Sequence, residues 1–253
     1  LLSSNIQAGT SVDYNDANCE AAYLFDEGSG TILGDSSGNN IDGSFKGSGE
    51  PAWDSSTPPG GYAAGSLLYD GDDDRVYMSE LNDLEYVDTI TVTIWQKLTD
   101  TTERQVFVNN DTQDTLWYTK DEGGNNKQNV YLGKTTSPGY HNSDTALTAN
   151  SWQHCAFTYN GSNVVFYLDG VNDGGGSTTG NIGWNWSADW TLGTRRDYGL
   201  TPKFCCDGYL SETAIFSRVL NSTEINDIMD NGLAPVVGGA PQVIGTIITG
   251  LGL

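Results

Sequence analysis

Trp152-Gln153-His154-Cys155-Ala156-Phe157-Thr158-Tyr159-Asn160-Gly161-Ser162-Asn163-Val164-Val165-Phe166-Tyr167-Leu168-Asp169-Gly170 is the stretch on which the fold reading turns. Two runs rich in aromatic and β-branched residues, Trp152 to Tyr159 and Asn163 to Leu168, flank Asn160-Gly161, a pair that supplies the positive φ of a tight β-turn. The spacing predicts a β-hairpin closed by a second turn pair, Asp169-Gly170. Upstream, Ile90, Val92 and Ile94 alternate with Thr91 and Thr93, the period of a half-buried strand. Ala21 to Phe25, Ser66 to Tyr69 and Arg75 to Met78 are further short apolar runs bounded by Asp and Gly. Downstream, Asn221 to Asn231 reads as a helix with Asn221 as N-cap, Glu224 completing a capping box and Gly232 as the stop.

Composition agrees with strands. The chain has 253 residues, 32 of them Gly and only 11 Lys or Arg, which suits short strands and Gly/Asn/Asp turns rather than long amphipathic helices. Its 11% aromatic content supplies too much packing material for a disordered acidic chain. A net charge of −22 and a pI near 4.1 exclude nucleic acid and anionic bilayers as partners. Gly47 to Gly65, rich in Gly, Ser and Pro around Trp53, reads as a long surface loop. The segment 233–253 is uncharged but broken by Pro235, Pro241 and several glycines, so it reads as an extended tail and not as a membrane span.

With no initiator Met and no basic stretch ahead of an apolar run, the chain reads as a mature, extracellular product. Cys19, Cys155, Cys205 and Cys206 lack zinc-ligand spacing, and His141 and His154 are the only histidines, so disulfides are expected, with all three pairings open.

Four landmarks, in order, resemble the laminin-G-like (pentraxin-like) jelly roll of the concanavalin A-like lectin/glucanase superfamily. They are Ala22 to Thr31 with Asp35 to Gly43, then Leu68 to Asp73, then Ser151 to Gly170, and finally Asp207 to Asn221 leading into the capped helix. The resemblance implies an all-β fold: a two-sheet antiparallel β-sandwich with one short C-terminal helix. It divides the chain into an N-terminal extended segment (1–18), the jelly-roll domain (19–232) and a C-terminal tail (233–253). It also implies a structural Ca²⁺ joining the first loop to later strands. Where the family's last strand usually carries Asp-Glu, this chain has Ser211-Glu212, so one carboxylate of that pair is missing.

Asp35, Asn39, Asn40 and Asp42 place oxygen ligands in one Gly-bounded loop, as a hard cation requires; the competing reading is an Asx-turn loop that satisfies its own backbone. Asp35, Asn40, Asp42 and Glu212 are the expected metal ligands, Glu212 pairing either with a metal or with Arg218 because an apolar face demands a partner for a carboxylate. The run Asp70, Asp72, Asp73, Asp74 lacks the Gly and Glu of an EF-hand and reads as a solvated turn. Gly34-Asp35-Ser36-Ser37-Gly38 matches a hydrolase expression but lies in a hairpin loop, and Glu80, Asp83 and Glu85 have the wrong spacing for a glucanase, so no catalysis is expected. Trp184, Trp186 and Tyr140 are the expected sugar contacts; Trp117 and Trp190 could serve, with core packing as the competing role.

Leu1, Leu2, Val243, Ile244, Ile247 and Ile248 are apolar enough to fill a neighbour's groove. These readings lead to a secreted, non-enzymatic structural subunit of an extracellular assembly (a filament, pilus or virion surface) that self-associates through its termini. The alternative is a Ca²⁺-supported carbohydrate-binding lectin or adhesin module.

Overall fold

The computed structural model describes residues 12–48, 50–61, 63–78, 87–110, 115–120, 124–133, 139–180, 182, 190–196 and 202–233. In chain order these form β1 (Cys19–Tyr23), β2 (Ile32–Leu33), β3 (Gly43–Lys46), β4 (Ala52–Asp54), β5 (Ser66–Asp70), β6 (Arg75–Met78), β7 (Ile90–Leu98), β8 (Val106–Asn110) and β9 (Thr115–Thr119). There follow β10 (Lys127–Leu132), β11 (Gly139–Ala146), β12 (Gln153–Tyr159), β13 (Asn163–Leu168), β14 (Val171–Ser177), β15 (Trp190–Leu192), β16 (Arg195–Arg196), β17 (Pro202–Lys203), β18 (Asp207–Phe216) and α1 (Ser222–Asn231).

Two antiparallel sheets make a sandwich, as expected. The first has the order β14-β13-β12-β7-β18-β5-β4 with β1 paired to β18, and the second has the order β11-β10-β9-β8-β15-β6-β3-β2. Between them lies one apolar core, with Ile90, Val92, Ile94, Phe157 and Phe166 from the first sheet meeting Val108, Trp117, Val130 and Trp190 from the second. Trp117 sits edge-on to Phe107 and Phe157 at 5.2 and 5.3 Å. It and Trp190 are core residues.

Several local expectations shift. The β12–β13 turn is centred one residue later than expected: Gly161 (φ 84) and Ser162 occupy the middle, while the Asn160 side chain accepts from the Ser162 and Asn163 amides. Asn160 is not in the positive-φ region, so the turn needs only Gly161 there, the requirement of a type II′ geometry. The Gly47–Gly65 stretch is not all loop, since β4 pairs with β5 and Trp53 packs on Phe45 while donating to the Gly30 carbonyl.

β7 is not half-buried: all but one of its nine residues are enclosed. Its threonine face is covered by the segment ahead of α1, because Thr91 Oγ1 donates to the Arg218 carbonyl and accepts from the Leu220 amide. A second apolar cluster forms there from Ala22, Ala156, Ala214, Phe216, Leu220, Ile225, Ile228 and Leu233, with Val12 from the segment read as an N-terminal extension. A ten-residue helix is marginal alone, so this packing holds α1 in place.

The expected disulfides are absent, since all four cysteines are free thiols. Cys19 lies in the second cluster and Cys155 and Cys206 in the main core, while Cys205 donates to the Asp72 carbonyl. Burial pushes the Cys155 and Cys206 thiols well above their ordinary pKa, which keeps them protonated and inert.

Candidate ligand-binding face

Inward residues of the second sheet fill the core, so the alternate positions form its outer face. Register aligns Tyr140, Tyr131, Leu116, Asn109, Thr191, Tyr77, Ser44 and Ile32 in one row across all eight strands. Beside it, Asn142, Asn129, Tyr118 and Val106 make a shorter second row.

The β11 end of this face is aromatic and open. Tyr140 is 68% exposed, and its ring lies 4.5 Å from that of Tyr131. Val106, Tyr118, Tyr131 and Phe204 form a small apolar cluster on the face, and the Arg104 guanidinium sits 4.9 Å from the Tyr118 ring and 5.0 Å from that of Phe204. Phe204 has φ 55, a conformation that costs a bulky residue energy and here sets its ring beside Arg104. Two amides on the face are buried and incompletely bonded. Neither polar atom of the Asn109 side chain has a partner, and Asn129 donates to the Lys127 carbonyl while its Oδ1 accepts nothing. Such groups are costly unless water or a ligand meets them. The tilted tyrosine pair and the exposed Asn142 of the adjacent row offer an apolar platform with a hydrogen-bonding group at its edge.

Of the expected sugar contacts, Tyr140 lies on this face, while Trp184 and Trp186 lie outside the described residues. Tyr131, Tyr118, Phe204, Arg104 and Asn109 were not singled out from sequence. Tyr131 alone carried a local signal, because Val130 and Leu132 flank it at strand period.

The expected cation loop is organised by its own backbone. The Asp35 carboxylate accepts from the amides of Ala22, Ser37 and Ile41 and from the Ser37 hydroxyl, and Asp42 accepts from the Asp35 amide. Asn40 takes a positive φ of 59 and donates to the Gly38 carbonyl. The loop is thus pinned to β1 by the geometry of the Asx-turn reading.

Glu212 does not pair with Arg218. It occupies a bulge in β18 with φ 23, where the strand's pairing passes from β5 to β1, and it accepts from the Leu233 amide just past α1 at 2.9 Å. Arg218 instead bridges Asp16 (2.7 Å) and Glu224 (2.8 Å), tying the N-terminal segment to the start of the helix. Burial opposes ionisation of Asp16, but the bonds from Arg218 and Asn18 together outweigh it and hold its pKa below the usual value.

Gly34 to Gly38 leads into no helix, so the elbow of a serine hydrolase is not formed. The acids Glu80, Asp83 and Glu85 and the terminal residues Leu1, Leu2, Val243, Ile244, Ile247 and Ile248 lie outside the described residues. Among the described residues, no helix is long and apolar enough to cross a membrane.

A family profile described as the concanavalin A-like lectin/glucanases superfamily matches residues 70–226, more than half of the chain. Comparison with curated proteins returns no match. Among solved structures, domain 4 of AbnA, an extracellular arabinanase from Geobacillus stearothermophilus, solved with arabinotriose, has a TM-score of 0.66 at 18% identity, over 84% of this chain and 98% of that one. The binding domain of botulinum neurotoxin DC in complex with SialylT gives 0.60 at 14% identity, over 85% of this chain and 51% of that one. A botulinum neurotoxin type C structure, described by a dependence of cell entry on two ganglioside molecules, gives 0.60 at 14% identity, over 83% and 50%. This chain therefore spans nearly all of the arabinanase domain and about half of the toxin chains. At these identities the likeness is one of fold.

Proposed function

Because the chain belongs to the concanavalin A-like lectin/glucanases superfamily, we propose that it is an extracellular, non-enzymatic carbohydrate-binding module whose sugar-contacting surface is the β11 end of the second sheet's outer face. The observation that carries the reading is the close, tilted pair of the exposed Tyr140 and the half-buried Tyr131. Aromatic rings offer apolar area and a quadrupole to the C–H face of a sugar, and neighbouring amides fix its hydroxyls. Asn142, exposed in the adjacent row, stands ready to supply those bonds. The fold neighbours include a domain solved with arabinotriose and a toxin domain solved with SialylT, which supports a sugar ligand over the assembly reading. Nothing described supports self-association through the termini.

The test is calorimetry against arabino-oligosaccharides and a sialylated glycan, with Tyr140→Ala and Tyr131→Ala as variants. Loss of one stacking ring is expected to weaken binding ~10-fold, about 1.4 kcal/mol, with the melting temperature of Tyr140→Ala unchanged because that ring is exposed. Unaltered affinity in both variants would move the site elsewhere on the sandwich. No binding across a broad glycan array would end the reading.

A further inference from the structure

The turn between β5 and β6 joins the two sheets at a corner of the sandwich and carries Asp70, Asp72, Asp73 and Asp74. One carboxylate oxygen from each of Asp70, Asp73 and Asp74 lies within 4.8 Å of the others. Three carboxylates this close repel one another, and no ion pair among the described residues neutralises them. Arg75 spends its guanidinium on the Asp73 carbonyl.

Proximity of acids is common on surfaces, and burial sets this group apart. Asp74 is 3% exposed; its Oδ2 accepts from the Asp70 amide, yet its Oδ1 is enclosed and has no donor. A buried carboxylate oxygen without a donor is strongly unfavourable unless a cation meets it. The space beside Asp74 Oδ1 is kept open by Gly47 (φ 145). A Cβ there would stand 2.9 Å from Asp74 Oδ1 and 3.2 Å from both Asp73 Oδ1 and the Asp73 carbonyl. Asp74 Oδ1, Asp73 Oδ1 and the Asp73 carbonyl therefore border one spot that a side chain would fill, with the Asp73 carboxylate held there by the Ser48 amide and hydroxyl.

We propose that this corner binds a divalent cation of the Ca²⁺ class through Asp70, Asp73 and Asp74, at a place distinct from the Asp35 loop. Three carboxylates on a turn open to solvent on one side suit Ca²⁺, which takes six to eight oxygens in loose geometry and completes its shell with water. Asp70 is exposed and Asp73 partly so, leaving a path for the ion. Bound there, the ion clamps the end of β5 in one sheet to the start of β6 in the other, so the cation supports the sandwich and does not depend on the glycan reading.

The experiment is Ca²⁺ titration by calorimetry on the chelator-stripped full chain, paired with thermal melts, for the native sequence, Asp70→Asn, Asp73→Asn and Asp35→Asn. The expected result is one bound ion that raises the melting temperature, with affinity falling at least ~10-fold in Asp70→Asn and Asp73→Asn and unchanged in Asp35→Asn. Asp70 accepts only the Asp72 amide through its side chain, so Asp70→Asn is expected to fold and melt like the native chain when stripped. Absence of binding up to ~10 mM Ca²⁺, or binding lost in Asp35→Asn and retained in the two turn variants, overturns the proposal.

Discussion

His154 is wholly enclosed beside Trp95, and neither ring nitrogen has a partner, so burial lowers its pKa from 6.5 to about 3. In the unfolded chain the imidazole takes up a proton as the pH drops below its ordinary value, whereas the folded protein does so only near pH 3. Between those values the unfolded state binds more protons, so stability falls as the pH falls, by at most about 1.4 kcal/mol per unit. Urea melts at pH 7 and pH 5 should show native stability reduced by about 2 kcal/mol through this group. His154→Leu should lose that part of the slope while the rest of the acid response persists. An identical slope in the variant would mean that the ring is hydrated.

At the scale of elements, α1 joins a local signal to a remote anchor. Asn221 accepts from the Thr223 and Glu224 amides, and Glu224 returns a bond to the Asn221 amide, the full capping box read from sequence. Asn221→Ala should cost about 1 kcal/mol, measured by chemical denaturation. Ile228→Ala should cost more, about 2–4 kcal/mol, because it opens a cavity where the helix meets the first sheet. A larger loss from the cap than from the core residue would show that the helix is held by its own start and not by packing. The strand elements were legible to a similar degree: β6 and β13 have the bounds that alternation and turn residues indicate. β4 was missed because three residues between Pro51 and Ser55 carry too little pattern, and they form a strand only by pairing with β5.

For the whole molecule, the order of the second sheet separates the two proposed sites. From β11, which carries Tyr140, to β6, which follows the acidic turn, there are five interstrand steps, about 24 Å at the usual spacing. Sites so far apart with no shared partners should act independently. Tyr140→Ala is expected to leave Ca²⁺ affinity unchanged, and Asp70→Asn to leave sugar affinity unchanged at saturating and at chelated Ca²⁺. Coupling beyond ~2-fold in the paired titrations would mean that the cation site shapes the sugar face.

The sequence by itself determined the class of this fold and its punctuation: strands at period two, glycine and Asx turns, and a capped helix. Each depends on residues within a few positions of one another, where backbone sterics and local hydrogen bonds act whatever the rest of the chain does. Only the tertiary structure decided which polar groups are satisfied and by what. Thr91 looked like a solvent-facing residue until a segment 127 positions away covered it. Glu212 found an amide beyond the helix and not Arg218, and four donors drawn from Ala22 to Ile41 occupied the Asp35 carboxylate. The outer row that sets Tyr140 beside Tyr131 and carries Asn109 exists only once strands are in register. Register follows from burying one face of every strand at once, a condition on the whole sandwich that no window of sequence contains.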